Sequence, residues 1–212
     1  HAEDLGLHTH PRALVYLFPN VGSYFGGDLL AGILASGMHR SGDINILVDV
    51  GTNAEVVVGN RDWLIACAGA AGPALEGGVV ERGMMANPGA IDRIRIDPET
   101  LEPHFSVLGD KKPLGICGSG LIDLIAEMFM AGILTIQGKI HSRLASPRIV
   151  TTPDGPAYVV AFAMETDDGR DLLVSEIDIG ILLKSKAAMY TILNVITRKV
   201  GVGFGDLKHF YV

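Results

Sequence analysis

The sequence predicts an α/β protein of mixed sheets flanked by helices, and three observations carry that expectation. Short apolar runs rich in β-branched residues, such as Ile44–Val50 and Ala54–Gly59, are bounded by Gly, Asn or Asp. Other segments, Leu121–Ala131 and the stretch from Ser175 to Gly201, place apolar residues at helical spacing. The 212 residues are 48% hydrophobic and 19% charged, enough apolar content for one large core or two small lobes sharing a cleft. The 27 glycines and 10 prolines are scattered between these runs, so neither a repeat nor a long disordered tail is expected.

Taken in chain order, Ala13–Phe18 is an apolar run closed by Pro19–Asn20 and reads as a buried strand. Gly26–Gly27–Asp28 then leads into a helix whose first turn Asp28 would cap and which Gly37 would end. Ile44–Val50, Gly51–Thr52–Asn53 and Ala54–Gly59 read as strand, tight turn and strand, with Asp49 near the end of the first. Trp63–Ala66 follows as a third strand. Cys67–Gly78 is a Gly/Ala loop with a helical turn at Pro73, where backbone can come close to a ligand. Ile91–Ile96 alternates as a half-exposed strand does.

Cys117–Gly120 opens the helix Leu121–Ala131, with Asp123 and Glu127 on its polar side and Gly132 as its stop. Pro and Gly punctuation over 144–171, around a strand at Tyr158–Ala163, predicts a hairpin insertion. Ser175 and Asp178 have the spacing of a capping box and begin the longest helix, and Leu207–Val212 starts another strand.

A net charge of −7 without a Lys/Arg stripe argues against sequence-independent nucleic-acid binding, which requires many phosphates to be neutralised, while an anionic small ligand remains open through backbone amides and a metal ion. No apolar run reaches the ~20 residues that span a bilayer, so no membrane association is expected. The N-terminus lacks a basic start and apolar core, so a cytoplasmic location is the expectation. Cys67 and Cys117 lie far apart and read as reduced thiols, and the chain cannot supply four cysteines to an iron–sulfur cluster. The P-loop pattern, a GxGxxG at a strand-to-helix turn and the GxSxG elbow are missing, and the seven histidines suggest no triad.

Three places could carry chemistry. Asp49, followed at once by Gly51–Thr52–Asn53, offers a metal-facing carboxylate, phosphate-binding amides and a hydroxyl, which suits a nucleoside triphosphate; the same residues also make an ordinary hairpin. Gly118–Ser119–Gly120 sets free amides at a helix start, either an anion site or a plain cap by Ser119. Asp28 could polarise a water as a general base, or cap its helix.

The string LVDVGTNAEVVVGNRDWLIACAGAAGPALEGG, followed by GAI and by PLGICGSGLIDLIAEMFMAGIL, resembles the C-terminal actin-like domain of the reductive activators of corrinoid proteins. The resemblance covers about Leu14 to Val212 in ordered blocks. It implies the actin-like ATPase fold of the acetate and sugar kinase, heat-shock chaperone and actin superfamily, with ribonuclease-H-like lobes and ATP in their cleft. Asp49–Asn53 matches the second phosphate motif of that superfamily, Gly26–Asp28 with its helix the first connecting segment, and the helix from Ser175 the second. The first phosphate motif is expected before His1 and the adenosine motif after Val212, so the chain is expected to be incomplete at both ends.

By the same resemblance, Asp49 acts near Mg2+, Gly51, Thr52 and Asn53 contact phosphate, Gly118, Ser119 and Gly120 help bind the cofactor and form a docking loop, and Asp28 is a candidate base. The implied parent protein takes a low-potential electron through an N-terminal ferredoxin-like 2Fe-2S domain, absent from this chain. With ATP it returns inactive Co(II) corrinoid to Co(I) on a methyl-transfer protein, with slow ATP turnover at most. A homodimer is a further expectation, because paired lobes would bury exposed strand edges. A small-molecule kinase of the same superfamily, with Asp28 as base, and a non-catalytic partner-binding module are the rival readings.

Overall fold

The computed structural model describes residues 1–212 with the exception of 11, 20, 21, 23 and 24. The chain divides into two compact units, one of residues 1–49, 55–68 and 192–212 and the other of residues 50–54 and 69–191.

The first unit is organised by a sheet of β1 (Asn45–Val50), β2 (Asn53–Gly59), β3 (Leu64–Ala70) and, from the end of the chain, β10 (His209–Tyr211), in the order β10-β1-β2-β3. β10 runs parallel to β1, with Asn45 opposite His209 and Leu47 opposite Tyr211. Helix α1 (Gly27–Ser36) supplies Leu29 to a small core with Met38, Leu47 and Val57. A side chain at Gly32 would come within 3.2 Å of Leu47, so the glycine lets helix and strand approach closely. The helix ends as expected at Gly37, in the left-handed conformation with φ 70°.

Three expectations fail in this unit. Ala13–Phe18 is not a strand, and Leu14, Tyr16 and Leu17 are 77%, 78% and 74% exposed. An apolar run becomes a strand only where a neighbour offers its backbone, and here the Ala13 carbonyl accepts from the Ala2 amide instead, at 3.1 Å. Asn20, expected to close that run, lies outside the described residues. Asp28 is not the cap of α1: Gly26 holds that position, and the Asp28 carboxylate accepts the Leu29 amide at 2.8 Å from inside the first turn. β3 continues through Cys67 to Ala70, which the Gly/Ala pattern had placed in a loop.

The second unit holds two three-stranded sheets. In one, β4 (Ala90–Ile96) pairs antiparallel with β5 (Pro103–Val107) and parallel with β6 (Gly115–Ile116). Helix α2 (Gly118–Met130) lies on β4 and buries Leu121, Leu124 and Met128, while its polar face satisfies the strand. Asp123 accepts the Ile94 amide at 3.3 Å and Glu127 the Ile96 amide at 3.0 Å, so the two acids foreseen one turn apart fasten helix to sheet. The second sheet is antiparallel, formed by β7 (Ile149–Thr152), β8 (Gly155–Ala161) and β9 (Leu172–Ser175). The two sheets contribute Ile91, Ile94, Ile116, Tyr158, Val160 and Leu172 to one core with α2.

Arg148 is buried at the edge of that core. It meets Glu102 at 2.6 Å, donates to the Val160 carbonyl at 3.1 Å and lies 4.5 Å from the centre of the Phe162 ring.

Helix α3 (Glu176–Lys199) begins with the expected reciprocal cap: Asp178 accepts the Ser175 amide at 3.0 Å, and the Ser175 hydroxyl accepts the Asp178 amide at 3.2 Å. With 24 residues and a mean hydropathy of 1.4 over its most apolar window, α3 is by length and composition long enough to cross a bilayer, although its sequence holds no unbroken apolar run of that length. Its beginning is instead a core helix, with Ile179 and Leu182 buried in the second unit. Lys184 and Lys186 would each cost roughly 2.5–3.5 kcal/mol at a membrane centre.

Candidate functional site

The hairpin between β1 and β2 follows from the burial of its strand. Asn45 to Val48 are buried, and the strand then emerges so that Asp49 and Val50 are exposed. The turn closes with the Gly51 amide donating to the Asn53 carbonyl at 2.9 Å. The Thr52 carbonyl accepts two amides, from Ala71 at 3.1 Å and Gly72 at 3.0 Å, which holds the tip against the segment after β3. Gly72 has φ 84°, a backbone conformation that favours glycine. The Thr52 hydroxyl donates to Glu76 at 2.6 Å, from the end of the 3-10 turn Pro73–Glu76.

Within the first unit, Asp28, Asp49 and Glu55 form a field of carboxylates. Burial first, and then the Asp49 and Asp28 carboxylates, push the pKa of Glu55 up from its usual value of 4.5. Among the described residues no cluster of three or more His, Cys, Asp or Glu has the geometry to cage a metal. Mg2+ does not need such a cage, because it takes one or two carboxylates together with substrate phosphates and waters. An exposed Asp49 in a negative field fits that use. An iron–sulfur cluster does not fit: Cys67 and Cys117 are free thiols, one in each unit, and a 2Fe-2S site takes four ligands.

Gly118, Ser119 and Gly120 form the first turn of α2, where amides lack intrahelical acceptors. The cap position belongs to Cys117 and not to Ser119, whose hydroxyl donates to the Asp92 carbonyl at 2.9 Å. Packing explains both glycines. A side chain at Gly118 would run into the Leu75 carbonyl, and one at Gly120 into the Ile91 carbonyl. Beside this turn lies a pocket of about 390 Å3, lined by Leu75, Glu76, Met84, Met85, Cys117 and Ser119 among others.

The structure thus brings Asp28 and Asp49 into one electrostatic cluster in the first unit. In the second it links Thr52 through Glu76 and Leu75 to Gly118 and Ser119. Sequence reasoning missed two acids. Glu55 shares the outward face of β2 with Asn53, a period-2 signal that was there to use. Glu76 stands alone in a Gly/Ala stretch, and nothing local announces its partner 24 residues away.

Residues 43–212 match the family described as the C-terminal domain of RACo, the ASKHA domain, and residues 1–41 match the RACo middle region. The chain is 29% identical over 216 residues to the corrinoid activation enzyme RamQ of Eubacterium limosum, covering 99% of this chain and 36% of that protein. It is also 29% identical over 136 residues to the Co(II) methylated amine-specific corrinoid protein reductase of Methanosarcina barkeri, covering 55% of this chain and 25% of that protein. The solved structure of a reductive activator for corrinoid, iron-sulfur protein aligns with a TM-score of 0.91 at 39% identity, over 99% of this chain and 33% of that one. The matches therefore span only about a quarter to a third of the length of these relatives. With its mixed sheets, flanking helices and this match over most of its length, the chain belongs to the reductive activators of corrinoid proteins, in the family of the RACo C-terminal ASKHA domain, whose actin-like fold points to nucleotide binding.

Proposed function

We propose that this chain is the ATP-binding domain of an activator that returns Co(II) corrinoid proteins to Co(I) for methyl transfer. The observation that carries the reading is the Asp49–Asn53 hairpin, an exposed carboxylate at the end of a buried strand followed by Gly, Thr and Asn, in a fold 39% identical to a reductive activator. Bound ATP with Mg2+ would supply the free energy for an uphill one-electron reduction whose electron comes from a low-potential donor. In this reading Asp49 holds Mg2+, directly or through water, and Gly51, Thr52 and Asn53 contact phosphate. Asp28 orients a water from the first turn of α1, while Gly118, Ser119 and Gly120 present a docking loop to the corrinoid protein. Electron supply lies outside this chain, whose two thiols make no cluster site.

The test compares the full-length protein with its Asp49→Asn variant, measuring Mg-ATP affinity by calorimetry. Loss of one charge-assisted contact, roughly 1.5–3 kcal/mol, corresponds to a Kd about 10- to 150-fold weaker, and ATP-dependent Co(I) formation should fall with it. Unchanged affinity and unchanged activation would remove Asp49 from the site.

A further inference from the structure

We infer that Glu76 is a relay residue, which senses whether the Thr52 hydroxyl is engaged by nucleotide phosphate and transmits that state to the pocket beside Gly118–Gly120. The inference rests on the reading of Thr52 as a phosphate contact.

A hydroxyl has one proton to donate. In this structure the Thr52 proton goes to the Glu76 carboxylate, at 2.6 Å. A phosphate oxygen that takes this proton displaces Glu76, since both acceptors are anionic and cannot share the donor. The displaced carboxylate has somewhere to go, because Glu76 is exposed and already lines the pocket of about 390 Å3 next to Met84, Met85 and Ser119.

The backbone around Glu76 is held at both ends. Ala71 and Gly72 are fixed to the Thr52 carbonyl, and Ala74 is 1% exposed in the core. On the other side Gly77 has φ 82°, and a side chain there would meet the Met84 backbone at 2.5–2.6 Å. Between these anchors, the moving parts are the Glu76 side chain and the peptide behind it. The Leu75 carbonyl in that turn occupies the space a side chain at Gly118 would need, so a shift of the turn is felt at the start of α2. Coupling of this kind is reciprocal, and a partner that engages Glu76 in the pocket changes the affinity for nucleotide by the same factor.

The experiment uses the full-length protein with 13C-methyl methionine, titrated with Mg-ATP as wild type, Glu76→Ala and Glu76→Gln. Met84 and Met85 signals are assigned by single Met-to-Leu replacements. The relay predicts that Mg-ATP moves both signals in the wild type. In Glu76→Ala they should already lie near their ATP-bound positions and no longer respond, while Mg-ATP binds roughly two- to tenfold tighter for want of the competing hydrogen bond. Glu76→Gln keeps an acceptor oxygen and should restore the response. A merely structural role would weaken Mg-ATP binding in Glu76→Ala and leave the methionine response in place. Equal responses in wild type and Glu76→Ala, or none in a wild type that binds Mg-ATP, overturn the relay and leave the nucleotide site standing. No Mg-ATP binding by the wild type overturns both.

Discussion

Gly118→Ala tests the packing on which the link between the Thr52 turn and the start of α2 depends. The new methyl would run into the Leu75 carbonyl oxygen, with the Leu75 carbonyl carbon at 3.3 Å and its Cβ at 3.4 Å. Leu75 must yield, and the neighbour that yields is backbone. Overpacking of this kind costs about 1–3 kcal/mol, and the better helix propensity of alanine returns up to about 1 kcal/mol, so the net loss centres on about 1–2 kcal/mol. Gly180→Ala is the control, since no atom lies within 4 Å of a side chain built there, in the body of α3. It should gain about 0.5–1 kcal/mol. Two single alanines in helices should therefore differ by about 2 kcal/mol, or some 4–8 °C in Tm for a chain of this size. Thermal unfolding followed by circular dichroism reads the difference. A Gly118→Ala protein at least as stable as Gly180→Ala would refute the close contact between Leu75 and Gly118.

Arg148→Met should destabilise by about 3 kcal/mol in urea unfolding, at the low end for breaking a buried ion pair because Glu102 is 42% exposed and can be rehydrated. Asp168→Asn should lower Tm at pH 6. The Arg82 guanidinium hydrogen bond holds the Asp168 pKa down at about 2, so its stabilisation is present above the usual 3.8 and fades as pH falls toward 2, and the Tm difference should close over that range. Glu55→Gln should act with the opposite sign. A raised pKa means that ionising Glu55 costs stability as pH rises past 4.5, so the variant should gain up to about 1 kcal/mol at pH 7 and nothing at pH 4, as a Tm series across that range would show.

What was legible in the sequence is what local chemistry decides. Buried β-branched runs on either side of Gly51–Asn53 give β1 and β2, Gly37 and Gly132 stop their helices at φ 70° and 73°, and Ser175 with Asp178 caps α3. Misplaced elements depended on partners that sequence does not show. Ala13–Phe18 has strand composition but, among the described residues, no strand pairs with it, and Cys67–Ala70 has loop composition but completes β3. Ser119 had the chemistry of a cap, yet its hydroxyl was taken by Asp92, brought near only when α2 packs on β4. The site was half visible for the same reason. Asp49 and Thr52 announce themselves by adjacency, whereas Glu76 reaches Thr52 only through the fold.

Nucleotide-dependent reduction of the corrinoid can be watched directly. The full-length protein is mixed with a low-potential reductant and a Co(II) corrinoid methyl-transfer protein, and the Co(I) absorbance is followed with and without Mg-ATP. Co(I) is expected to form with Mg-ATP and not without it. Co(I) formation indifferent to ATP, or none in either case while a sugar or acyl group is phosphorylated instead, would contradict that expectation.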